Sequence, residues 1–189
     1  PIRPNPALDT RGKVRFDMDL ETKDLVFSSD GLDSSFCRAR VRGSARVDRT
    51  VDMEIDGEIK DVAEARAFTS LILATRFDFA EIRGQGTADI KIAGDYATPR
   101  VTIDFFCLPG GFDRFDAASV EGSLDITGTD VLGRFRVDDP DMKGEIGLKV
   151  EGLRAEADIR MIQGTVEKIL PRLDIPLPLR GTAEGTFRL

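Results

Sequence analysis

Apolar and polar residues alternate along almost the whole of this chain. Val14, Phe16, Met18 and Leu20 are interleaved with Arg15, Asp17 and Asp19. Cys37, Ala39, Val41, Gly43, Ala45 and Val47 are interleaved with four arginines and a serine, and Val51, Met53, Ile55, Gly57 and Ile59 with Asp52, Glu54, Asp56 and Glu58. The pattern returns at Gly84–Ile92, Val101–Phe105, Val120–Ile126, Gly144–Val150, Ala155–Met161 and Gly181–Leu189. A period of two sends successive side chains to opposite faces of a strand, so each stretch has one apolar and one charged face. That is the signature of an antiparallel sheet wet on one side; parallel strands would read as continuous apolar runs. Several stretches reach about 9 to 12 residues, or roughly 30 to 40 Å, which is long for strands. Glycines 43, 57, 84, 86, 122, 144, 181 and 185 fall in the apolar phase. Interior strand glycine marks a bend or a close approach. The pattern therefore predicts a mostly β fold: a long, curved antiparallel sheet forming a taco- or gutter-like groove with an apolar inner face.

Two helical interruptions are predicted. Asp61–Ala74 opens with Asp61 and Glu64, close to a capping box, and places Val62, Ala65, Phe68 and Ile72 on one face. A shorter helix follows Gly164, with Thr165 as N-cap, Val166, Ile169 and Leu170 within it, and Pro171 as its stop. The run Ile175-Pro-Leu-Pro178 is extended and excluded from a central strand. Each helix leads to a similar triplet, Phe77-Asp-Phe79 or Leu173-Asp-Ile175, and then to Arg-Gly opening a new alternating stretch. The expected organisation is a linker, or the start of an excised fragment, over 1–11 and one β-groove segment over 12–189, with two weak repeats at about 12–95 and 96–189.

Composition narrows the function classes. Apolar residues make up 41% and charged residues 32%, ordinary for a folded chain, but there is no His, no Trp and one Tyr. With so few large side chains a tightly filled sandwich core is not expected. The net charge of -7 argues against nucleic acid, which needs clustered Lys and Arg. No stretch approaches the roughly 20 apolar residues of a membrane-spanning helix. Cys37 and Cys107 fall in the apolar phase and read as buried free thiols, with a disulfide as the alternative in an oxidising compartment.

Catalytic motifs are missing. Without His, the common general base and the standard Ser and Cys triads are gone. Gly84-Gln-Gly86 begins like a dinucleotide fingerprint but lacks the third glycine and sits inside a strand. Asp138-Asp139-Pro140-Asp141 lacks the alternate-ligand spacing of a calcium loop and reads as a solvated turn, as does Asp30-Gly31-Leu32-Asp33. No enzyme activity, metal or cofactor is expected.

The stretch Arg83-Gly-Gln-Gly-Thr-Ala-Asp-Ile-Lys-Ile-Ala-Gly94, followed by Asp95-Tyr-Ala-Thr-Pro99 and a new strand, resembles the AsmA-like superfamily, and within it the TamB (translocation and assembly module) family. Val120-Glu-Gly-Ser-Leu-Asp-Ile-Thr-Gly128 has the same character, and the resemblance extends diffusely over residues 12–189. It implies a periplasmic protein of a Gram-negative envelope, anchored in the inner membrane, that moves phospholipid towards the outer membrane along an apolar groove. The partners it implies are acyl-chain lipids, neighbouring groove segments of the same chain and an outer-membrane assembly protein; no nucleic acid is among them. Groove lining is expected from Phe16, Met18, Val41, Met53, Ile55, Ile90, Ile92, Ile103, Phe105, Ile126, Ile146, Leu148, Val150, Ile159 and Phe187. Burying each CH₂ of an acyl chain stabilises by about 0.8 kcal/mol, so such a track needs no headgroup pocket. The alternatives are a scaffold that templates client strands on exposed sheet edges and a structural spacer.

Overall fold

The computed structural model describes residues 10–47, 49–64, 82–112, 115–152, 154–172 and 176–188. They form one open antiparallel sheet of thirteen strands. The strands are β1 (Arg11–Gly12), β2 (Arg15–Asp19), β3 (Asp24–Asp33), β4 (Cys37–Arg46), β5 (Thr50–Ile59), β6 (Ile82–Asp95) and β7 (Arg100–Phe112). β8 (Phe115–Ala117), β9 (Ser119–Thr127), β10 (Asp130–Asp139), β11 (Met142–Glu151), β12 (Arg154–Thr165) and β13 (Thr182–Arg188) complete it. The order is β1-β3-β4-β5-β6-β7-β9-β10-β11-β12-β13, with β2 also on β3 and β8 on the far end of β7. Strands adjacent in sequence are almost always adjacent in space, as short un-crossed connections require.

The two ends of the strands differ. One end carries tight hairpins. Asp19 Oδ1 accepts the N–H groups of Glu21 (2.8 Å) and Thr22 (3.2 Å), while Gly128 and Gly152 take φ of 58° in their turns. Adjacent tips are tied together, Val47 N–H donating to Lys23 O (3.1 Å) and Tyr96 N–H to Arg49 O (2.9 Å). The opposite end carries the longer connections, including helix α1 (Val166–Arg172) and a helical opening at residues 62–64.

The Asp61 cap forms as expected: its Oδ1 accepts from Ala63 N–H (2.8 Å) and Glu64 N–H (3.1 Å). Glu64 does not close a box; it accepts a hydrogen bond from Ser35 Oγ (2.8 Å). The rest of the expected Asp61–Ala74 helix, and the paired triplets at 77–79 and 173–175, lie outside the described residues. Pro171 does not stop α1 but sits in its last turn, before Arg172, a position close enough to the end that little helical hydrogen bonding is lost. Gly181 N–H donates to Glu167 Oε2 (2.9 Å) and Val166 N–H to Gly181 O (2.9 Å), fastening α1 to the start of β13.

One turn expectation is corrected and a second holds in part. Asp30–Asp33 is the end of β3, where a register shift between Ser29 and Leu32 absorbs the extra residues. The turn expected before Met142 is present at Pro140–Asp141, with Pro140 exposed; what differs is Asp139, which ends β10 and is buried, its Oδ1 accepting from Asp141 N–H (2.9 Å) in an Asx turn.

No second layer covers the sheet among the described residues. A folded monomer of this mass is expected to expose roughly 9,000 Å², whereas the chain exposes 13378 Å². Among the described residues, buried apolar side chains are few (Phe36, Ala88, Val101, Cys107, Ala117, Ile126 and Ile169), and no large one is fully enclosed.

Candidate apolar binding face

The antiparallel register stacks the apolar phase of each strand into rows that cross the sheet. One row runs Phe16, Phe27, Gly43, Met53, Ile92, Val101, Ile126, Val131, Val150 and Ala155. The next runs Val41, Ile55, Ile90, Ile103, Leu124, Gly133, Leu148 and Ala157. A third holds Ala39, Gly57, Ala88, Phe105, Gly122, Phe135, Ile146, Ile159 and Phe187, and a fourth, at the helix end, Cys37, Ile59, Gly86, Cys107, Val120, Val137, Gly144, Met161 and Gly185. Met18 belongs to a shorter row at the hairpin end, with Leu25, Ala45 and Val51.

All fifteen residues expected to line a groove fall on this one face by register. Ile126 is buried, the strand residues from Val41 to Ile159 are otherwise half-buried, and Phe16 at the edge is 75% exposed. The face also contains residues the sequence reading missed, notably Phe27 on β3 and Val131, Phe135 and Val137 on β10. β10 alternates visibly apart from Leu132, so its signal was present; β3 opens with Leu25-Val-Phe27, where alternation fails.

Glycine sets the relief of the face. The rings of Phe105 and Phe135 lie 6.0 Å apart, tilted by 50°, on either side of Gly122. A Cβ at Gly122 would stand 2.8 Å from Phe105 Cζ, 2.9 Å from Phe135 Cδ1 and 2.8 Å from Arg134 O. The glycine therefore provides the floor on which both rings recline. At Gly86 a Cβ would run into the Phe106 carbonyl, at the register shift between Gly84 and Gly86.

The opposite face is charged and stapled by cross-strand ion pairs. Arg46 meets Asp24 (2.7 Å), Arg42 meets Glu54 (2.5 Å), Lys60 meets Asp33 (2.5 Å), Arg136 meets Glu121 (3.4 Å), Arg188 meets Asp158 (2.9 Å), and Arg100 forks onto Asp125. Hydrogen bonds from Arg46, Lys60 and Arg100 hold the Asp24, Asp33 and Asp125 carboxyls below the usual aspartate range. Two shallow depressions, of about 740 and 500 Å³, are lined mainly by residues of the charged phase and meet at Thr87 and Asp89; Phe105, Gly122, Phe135 and Ile146 also border the larger one. Their linings mix signs, with Asp89, Asp104, Glu121 and Glu145 beside Arg134 and Arg136, which suits solvent better than an ion of either sign. The apolar face is an open surface among the described residues.

Cys37 and Cys107 are free thiols in the same row, separated by β5 and β6. Three strand spacings of about 4.8 Å put them beyond disulfide reach. Burial pushes the Cys107 thiol up, while Cys37 is half-buried beside the Ser34 hydroxyl at 3.4 Å. Among the described residues no cluster of His, Cys, Asp or Glu is arranged to hold a metal ion, and no helix is long and apolar enough to cross a membrane. Comparison with protein-family models, curated proteins and solved structures finds no match.

Proposed function

We propose that this chain is a non-catalytic segment of a lipid conduit, its apolar face holding the acyl chains of phospholipid in transit between two membranes of a cell envelope. The reading places the chain in the periplasm, within a protein of the AsmA-like kind held at the inner membrane. The observation that carries it is the continuity of the apolar rows: the first crosses the sheet from β2 to β12 and the next three from β4 to β12 without a charged side chain, and no protein layer lies over them among the described residues. Monomeric proteins rarely leave apolar patches larger than a few hundred Å² uncovered without a binding role. Small residues between the larger ones leave room for a chain, and the weak, distributed contacts allow it to leave as well as enter.

The test is native mass spectrometry of the purified protein with lipid extraction from the same sample. Phospholipid is expected to co-purify, and Ile90→Asp or Ile103→Asp, still folded by circular dichroism, is expected to lose it. Undiminished lipid in those variants, or a lipid-free protein that excludes added fluorescent phospholipid, would move the weight to a scaffold or spacer role.

A further inference from the structure

We draw no further inference here: the strongest candidate, the outer edge of β13 (Thr182–Arg188), where the strand order of the sheet ends, carries nothing because no described residue pairs with it and nothing in the structure shows what would.

Discussion

At the scale of single residues, the apolar face depends on positions where a larger side chain has nowhere to go. Gly122→Val drives two methyl groups into Phe105, Phe135 and the Arg134 carbonyl. Overpacking of this kind costs about 1–3 kcal/mol, and we expect a loss of that size in urea unfolding. Combining it with Phe135→Ala is expected to recover part of the loss, giving a coupling energy in a double-mutant cycle; strict additivity would show that the ring is not seated on the glycine. The two thiols give a second residue-scale test. Because Cys107 is buried with its thiol pushed up, iodoacetamide at neutral pH is expected to alkylate Cys37 first. Equal rates by peptide mass spectrometry would contradict the burial described at Cys107. At this scale the sequence was only partly legible. Alternation told which side chains share a face, and it put Phe105 and Gly122 there, but that the glycine is a seat for two rings depends on β7, β9 and β10 being neighbours. Phe135 went unassigned because its strand did.

Among the elements, the long alternating strands were legible because the register stacks their apolar phases on one face; burial follows the same period of two on β4, but not on β9, where Glu121 alone of Ser119–Ile126 is exposed. What the sequence concealed was β3, whose Leu25-Val26-Phe27 start and Gly31 look like a turn, and which the ladder to β4 nevertheless holds through a shift of register. Helix α1 was legible in place but not in its end, since Pro171 is tolerated so close to the C-terminus. Its attachment is through Ile169 to the end of β12. Ile169→Ala removes that buried anchor, a change that costs about 2–5 kcal/mol when a core site cannot collapse. The loss is expected to be local: hydrogen exchange should quicken over residues 164–172 and the start of β13, while β5–β7 keep their protection. Uniform loss of protection through the sheet would mean that α1 is part of one cooperative unit with the central strands. The ion-pair ladder is also a property of elements in register. The Asp24, Asp33 and Asp125 carboxyls are lowered by their Arg and Lys partners, so their contribution is present above the unfolded aspartate value of 3.8 and is lost as pH falls through the still lower folded values. The sheet should therefore melt at lower temperature as pH is taken below about 4, with a small effect because every pair is exposed, and a smaller one in high salt.

For the whole molecule, the decisive fact is an apolar face over which no layer lies among the described residues. An ordinary domain buries its sheet against helices or a second sheet; here the excess of exposed area over that expected for the mass is several thousand Å². Hydrophobic stabilisation of the bare sheet is correspondingly incomplete, and anything that covers the face adds to the stability of the folded state alone. The linkage is quantitative: a ligand at a hundred times its dissociation constant stabilises by about 2.7 kcal/mol. For a chain of this length each kcal/mol raises the melting temperature by about 2–4 °C. Phosphatidylcholine presented in mixed micelles should thus raise the midpoint by about 5–10 °C and shift it progressively with lipid concentration. Ile103→Asp places a carboxylate in the middle of the second row, between Ile90 and Leu124. It should abolish the concentration dependence while leaving the lipid-free midpoint only modestly lower. A midpoint that ignores lipid in the unsubstituted protein would leave the apolar face without an acyl-chain occupant, and the same result with a strand peptide added in place of lipid would argue against edge pairing as well.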